Sequence, residues 1–340
     1  MSTIEIEGQT GKSTILIGES WEALAQRIVP GRTVIISDEN VRRLYGDRFP
    51  DCPVVAMGLG EEHKTLATVQ AIYRQLLDLG LDRSGMIVGI GGGIVCDVAG
   101  FVAATYLRGV RYGSVATTLL AQVDASMGGK TGVNCAGFKN MVGVFRQPEF
   151  VICDLSTLAS LPSRELHCGF AEIIKHGAIA DADYFTFLTH NTAAALSLDA
   201  AVMDHIVTRS VEIKAGVVRA DETEQGLRRI LNFGHTFGHA YEKTTGFNHG
   251  EAVSAGMVTA AHLAVQQGLL QPEACDRLTR LLAAYNLPLA ADAAAAQVLE
   301  ALARDKKKEG GQVHFVLLSA IGRAVVKPFA LDDLKTFFNT

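Results

Sequence analysis

The chain has 340 residues and six cysteines (Cys52, Cys96, Cys135, Cys153, Cys168 and Cys275), with no CxxC pair among them. Thiols scattered in this way over a long chain read as reduced, which sets aside a disulfide framework and points to a cytoplasmic setting. Basic residues are not in excess either: 31 Lys and Arg against 36 Asp and Glu give a net charge of -5. That balance argues against a nucleic-acid or anionic-membrane binder. A small anionic substrate stays open, because a few lysines can be concentrated in one site. The opening MSTIEIEGQT lacks the basic-then-apolar pattern of a signal peptide. Long apolar runs are missing as well. Residues 86–107 carry Asp97 as their one charge, but Gly89 and Gly91 to Gly93 interrupt them, and a central aspartate is costly in lipid. Strand, turn and helix is the better reading. With 48% apolar and 20% charged residues, little room remains for a large disordered region.

The length favours two domains over one core. In the first half, TVIISD (33–38), PVVAMG (53–58), MIVGIG (86–91), RYGSVAT (111–117) and FVICD (150–154) read as buried strands. The segment 65–80 has apolar residues at helical spacing and ends on Gly80. Strands alternating with helices imply an α/β domain with a mainly parallel sheet. From Ser163 to about Arg304 helical patterns dominate, including an alanine-rich helix over 290–303. A short strand pair, VHFVLL and GRAVVK, and a last helix near Leu331 close the chain. The division expected is 1–160, an α/β nucleotide domain, and 161–340, a mainly α-helical domain.

Three constellations carry chemistry. GIGGGIVCD (89–97) places glycines between a strand and a helix, where backbone N–H groups can approach a pyrophosphate. The spacing is not GxGxxG, so a plain tight turn competes. Asp38, at a strand end, suits ribose hydroxyls or a helix N-cap equally well. Second, AEIIKHG, NFGHTFGHAYE and NHGEA offer Glu172, His235 and His249, the ligand count of an open catalytic metal site. His235 and His239 share a helix face. Thr236 stands where the HExxH protease pattern needs glutamate, so peptide hydrolysis is not indicated. Glycines flank both imidazoles and read as backbone flexibility beside them. His63, His167, His176, His190, His205 and His314 read as ordinary surface or core histidines. Third, Arg108, Arg111, Lys130, Lys139, Lys175, Lys214, Arg228 and Lys306 to Lys308 supply cations. Lys130 and Lys139 lie among glycines and small polar residues, a context that suits a phosphate or carboxylate clamp.

The motifs GGGIVCDVAGFVAATYLRG, TTLLAQVDASMGGKTGVN, KNMVGVFRQP, LPSREL, GFAEIIKHG, NFGHTFGHAYE and HGEAVSAGM occur in this order. Together they resemble the 3-dehydroquinate synthase family of sugar phosphate cyclases, over nearly the whole chain. The resemblance implies conversion of 3-deoxy-D-arabino-heptulosonate 7-phosphate to 3-dehydroquinate and phosphate. NAD would be used catalytically, with transient oxidation, phosphate elimination, re-reduction, ring opening and aldol closure. It implies Glu172, His235 and His249 as ligands of one Zn2+ or Co2+. The NAD site would use Asp38, Asn40, Glu61, Lys64, Gly92, Gly93, Asp97, Thr117, Thr118, Lys139, Ser160 and Glu165. Substrate contacts would come from Arg108, Asp124, Lys130, Lys139, Asn140, Lys175, Lys214, Arg228, Asn232, His239 and Lys306. Of these, His239, Lys130, Lys175, Asn140 and Arg228 would carry the catalysis, with His239 in proton transfer. Arg108 would reach the partner's site in a homodimer.

Phe138, Arg146 and Asn248 depart from what the family leads one to expect, and Phe138 bears on the loop presenting Lys139 and Asn140. Three other readings compete. A secondary-metabolism cyclase making a valiolone or an inosose would change the carboxylate-binding residues, yet Lys175, Arg228, Asn232 and His239 keep the dehydroquinate pattern. A metal-dependent polyol dehydrogenase would release NADH, and VDASMGGKTGVN speaks against it. A non-catalytic binding protein would leave the ligand set decorative.

Overall fold

The computed structural model describes residues 1–306 and 312–338. They form two compact units, Met1–Leu161 with Lys214–Thr223, and Pro162–Ile213 with Glu224–Thr340.

The first unit holds strands β1 (Ser2–Gly8), β2 (Gly11–Ile17), β3 (Thr33–Asp38), β4 (Val54–Met57), β5 (Met86–Gly91), β6 (Arg111–Ala116), β7 (Lys130–Cys135), β8 (Phe138–Phe145) and β9 (Phe150–Cys153). Its main helices are α1 (Glu39–Tyr45), α2 (Leu66–Asp78) and α3 (Gly93–Thr105). Seven strands make one sheet in the order β1-β2-β9-β6-β5-β3-β4. Every pairing in it is parallel except β1 with β2. The apolar runs follow from burial on both faces. Along β3, Val34 and Ile36 join α2 and α3 in one cluster, while Ile35 turns to the other face with Trp21, Leu24 and Val41. The alternation is the period of two that a strand imposes. The β1–β2 hairpin and the separate β7–β8 hairpin were not expected from the sequence.

The second unit contains α4 (Ser163–Ala180), α5 (Ala182–His190), α6 (Thr192–Leu196), most of α7 (Ala200–Ala220), α8 (His235–Thr244), α9 (His249–Gln266), α10 (Pro272–Ala284), α11 (Ala295–Lys306) and α12 (Leu331–Phe338). The antiparallel pair β10 (Val313–Ala320) and β11 (Arg323–Phe329) completes it. The α/β and mainly helical division of secondary structure is as expected. The alanine-rich segment is helical only from Ala295. Propensity alone does not set a helix start, and the helix here is anchored by buried Val298 and Leu302. No described helix is long and apolar enough to cross a membrane.

One acidic side chain ties the end of α7 into the first unit. Glu222 accepts hydrogen bonds from Gln9 N at 2.6 Å, from Thr10 N at 3.2 Å and from Gln147 Nε2 at 3.0 Å, and it also pairs with the Thr10 hydroxyl. It packs so closely on the β1–β2 turn that a Cβ on Gly8 would lie 2.5 Å from its Cδ.

Candidate active site

Close helix packing builds a candidate metal-ligand cluster in the second unit. A Cβ on Gly256 of α9 would lie 2.1 Å from Gly234 O. Gly234 itself has φ +81°, which glycine adopts without strain. A Cβ on Gly250 would lie 2.4 Å from Cys168 Cα of α4. These glycines therefore provide close approach of α8, α9 and α4, where flexibility beside the imidazoles was expected. One atom each of Glu172, His235 and His249 consequently falls within 4.8 Å of the others.

Glu172 is fully buried, and neither carboxylate oxygen meets a donor in hydrogen-bond geometry among the described residues. Lys175 Nζ pairs with Oε2. His235 Nε2 and His249 Nε2 face Oε1 at 3.5 and 3.3 Å. Burial works to raise the Glu172 pKa, but the Lys175 cation and the imidazoles hold it well below the usual carboxylate range. Burial and the Lys175 charge push His235 down to about 3, so its ring is neutral at physiological pH. Its Nδ1 lies 3.3 Å from Phe233 O. For His249 burial also works downward, but the carboxylates of Glu172 and Glu242 outweigh it and push the ring up to about 9. Two imidazole nitrogens converging on a buried carboxylate fit a divalent cation of the zinc or cobalt type. His249 would deliver its proton to solvent as the ion enters.

In the same unit, Arg228 is 2% exposed, Asn232 Nδ2 donates to Glu224 Oε1 at 2.5 Å, and His239 lies exposed, its ring 5.6 Å from that of His235. Glu165 is exposed in the first turn of α4. Asn248 has a structural explanation. It caps α9 by accepting from Glu251 N at 2.9 Å, while Glu251 accepts from Asn248 N at 2.8 Å, and so sets the backbone of His249.

In the first unit, Gly92 is the N-cap of α3 and Gly93 its first residue, at the turn predicted from the glycines. Asp97 follows on α3, where Lys64 Nζ donates to it at 2.5 Å and to Asn140 Oδ1 at 2.6 Å. Burial raises the Asp97 pKa against the opposing Lys64 charge. Asp38 is the N-cap of α1, accepting from Val41 N at 2.8 Å, and Asn40 accepts from Arg43. Thr117 is buried at the end of β6, with Thr118 half-buried beside it. Ser160 shares a 2.6 Å hydrogen bond with Tyr45 OH. Lys214 Nζ donates to the backbone and side chain of Asp124 at 2.6 and 2.5 Å, on the π-helical turn Ala121–Ala125. Lys130 and Lys139 are exposed on the β7–β8 hairpin. Leu107 and Arg108 both have positive φ, at 48° and 65°. Arg111, in contrast, is held by Glu149 in a bidentate surface pair. Arg146 donates to Val110 O at 2.8 Å. The side chain of Lys306 lies outside the described residues, as do Lys307 and Lys308.

Sequence reasoning missed Asn134. Its Nδ2 donates to Glu61 Oε1 at 2.8 Å and its Oδ1 accepts from Asn140 N at 2.8 Å. Asn140 is thereby held at φ 52°. Glu242, whose Oε1 lies 2.8 Å from His249 Nδ1, was missed too. The only signals were their places at the ends of TGVN and GHAYE.

The family profile described as 3-dehydroquinate synthase N-terminal matches residues 54–168, and the one described as 3-dehydroquinate synthase C-terminal matches 169–308. A 3-dehydroquinate synthase of Halorhodospira halophila (strain DSM 244 / SL1) is 46% identical over 322 residues, 91% of each chain. Among solved structures, a 2-epi-5-epi-valiolone synthase from Streptomyces hygroscopicus subsp. jinggangensis 5008, with NAD+ and Zn2+ bound, aligns with a TM-score of 0.87 at 26% identity over 96% of both chains. A 2-deoxy-scyllo-inosose synthase complexed with carbaglucose-6-phosphate, NAD+ and Co2+ aligns with a TM-score of 0.86 at 26% identity, covering 99% of this chain and 98% of the other. On the two profiles and the 46% identical relative, the chain belongs to the 3-dehydroquinate synthase family.

Proposed function

We propose that the chain converts 3-deoxy-D-arabino-heptulosonate 7-phosphate to 3-dehydroquinate and inorganic phosphate, as a lyase dependent on NAD and one divalent metal. The observation that carries this reading is the Glu172, His235 and His249 cluster within a chain that family profiles match from 54 to 308. When bound, the metal supplies Lewis-acid polarisation of a hydroxyl or ketone, and NAD supplies a reversible hydride acceptor.

The chain's own residues position, charge and deprotonate. Residues 1–160 hold the cofactor through the N-terminus of α3 at Gly92 and Gly93, with Asp38, Asn40, Glu61, Lys64, Asp97, Thr117, Thr118, Lys139 and Ser160 around it. Residues 161–340 hold the metal and bind substrate, with Glu165 assigned to the cofactor. Arg228 and Lys175 are buried cations assigned to the substrate's carboxylate or phosphate, Lys175 by exchanging its pairing with Glu172 for the substrate. Asn232, Lys214 and Lys306 extend the substrate contacts. Asp124, held by Lys214, offers a carboxylate acceptor for a sugar hydroxyl. Lys130, Lys139 and Asn140 clamp the substrate's anionic groups from the β7–β8 hairpin. His239, exposed on the helix face that carries His235, moves protons at the substrate, and the cations hold the sugar in place while it rearranges.

The working form is a cytoplasmic homodimer. Strand β8 exposes Phe138, Met141, Val144 and Phe145 at 39, 45, 36 and 38%, apolar surface suited to burial against a second copy. Arg108 is turned outward by two consecutive left-handed residues and suits a contact with the partner's site. Sedimentation giving a monomer at micromolar concentration would count against the dimer. The site reading is tested by His235→Ala, which is expected to lose metal and activity together; full activity without bound metal would overturn it.

A further inference from the structure

Glu242 stands at the end of GHAYE, two turns along α8 from His235, on the same helix face. Its side chain is 5% exposed, and its Oε1 lies 2.8 Å from His249 Nδ1. A neutral imidazole has one N–H and one lone pair. With Nδ1 donating to Glu242, the lone pair falls on Nε2, the nitrogen facing Glu172 Oε1 at 3.3 Å. His235 repeats the arrangement with a backbone partner, Phe233 O at 3.3 Å from Nδ1.

The two rings differ in how they are held. The His235 side chain is 12% exposed and His249 is 32% exposed, so packing restrains the second ring less. Its backbone is set by the Asn248 and Glu251 capping box, which Arg164 braces through two hydrogen bonds to Glu251 at 2.8 and 2.6 Å. Capping fixes where the residue begins, but it does not fix rotation of the ring. The Glu242 hydrogen bond supplies that restraint.

We propose that Glu242 is the positioning residue of the metal centre, selecting the tautomer and orientation of His249 so that Nε2 is presented to a divalent cation. The inference rests on the ligand reading above. The carboxylate raises the basicity of the imidazole as well as aiming it, and partners of this kind are worth about 10–100-fold in metal affinity.

The test uses the full-length chain stripped with chelator, titrated with Zn2+ against a chromophoric competitor and separately with Co2+ while its visible absorption is followed. Glu242→Ala is expected to weaken Zn2+ binding about 10–100-fold and to change the Co2+ band. Glu242→Gln keeps shape and an acceptor oxygen while losing the charge, and it is expected to fall between Glu242→Ala and the wild type. Melting of the metal-free proteins separates folding from ligation: Glu242→Gln should melt with the wild type and still bind more weakly. Binding within twofold of wild type in both variants overturns the proposal. A loss of affinity that only parallels unfolding of the metal-free variants also overturns it. His249→Ala sorts the two readings. If it binds Zn2+ like the wild type, the ligand assignment fails and this inference with it. If it loses the metal while both Glu242 variants keep it, only the positioning role fails.

Discussion

Replacing Gly256 with alanine tests whether helix approach builds the metal centre. The added Cβ would lie 2.1 Å from Gly234 O and 2.8 Å from Gly238 N, both backbone atoms. No side chain can swing away, so α8 and α9 must part by on the order of 1 Å in a close-packed interior. Overpacking of this kind costs about 1–3 kcal/mol, and a rigid backbone contact belongs at the upper end. At about 2–4 °C per kcal/mol for a unit of this size, melting of the metal-free protein falls by roughly 6–12 °C. The same displacement separates His235 on α8 from His249 on α9. A misplacement of about 1 Å in a catalytic constellation costs about 100-fold in rate. Calorimetric melting after chelation and kcat after metal loading measure the two effects. The control is Gly216→Ala on α7, where a Cβ meets nothing within 4 Å; it is expected to stabilise by about 0.5–1 kcal/mol. A Gly256→Ala protein with wild-type melting and wild-type turnover would refute the argument.

Two other expectations follow from the hydrogen bonds of the first unit. Burial works to raise the Glu222 pKa, but the donors on Thr10, Gln147 and Gln9 outweigh it and hold the carboxyl below its ordinary value. A depressed carboxylate contributes stability above its unfolded pKa, about 4.3, and loses that contribution as pH falls through the folded value. Glu222→Gln should therefore be less stable than wild type in urea at pH 7, with the gap closing towards pH 3; a gap constant with pH would contradict this. Asn134→Ala removes the two hydrogen bonds that align Glu61 and Asn140. Only Glu61 is assigned to NAD, so at about 1 kcal/mol for its bond NAD binding by calorimetry should weaken about fivefold, and unchanged affinity would remove Asn134 from the site.

The sequence makes the parallel core legible because its strands are buried on both faces. TVIISD and MIVGIG read as continuous apolar runs, and both are strands of the sheet. In β1, Glu5 and Glu7 alternate with Ile4 and Ile6 as a half-buried edge strand does, and a search for continuous apolar runs passes over it. Strand β8 is exposed along nearly its whole length, so no burial pattern marks it. Glu172, His235 and His249 stand out from residue type as a candidate ligand set, but the reason for the glycines beside them does not. Spacing cannot distinguish a mobile glycine from one where two backbones meet, and here Gly234, Gly250 and Gly256 are of the second kind. Asn134 and Glu242 escape notice because a positioning residue is defined by what it touches, and Glu61 lies 73 residues from Asn134.

The most direct test of the proposed activity is phosphate release from 3-deoxy-D-arabino-heptulosonate 7-phosphate with NAD and Zn2+ or Co2+, while absorbance of NADH is followed. The account predicts release that requires NAD, stops on chelation and leaves no net NADH. Phosphate release from sedoheptulose 7-phosphate or glucose 6-phosphate instead would move the chain to the valiolone or inosose type of cyclase. Accumulating NADH without phosphate would contradict the internal redox cycle altogether.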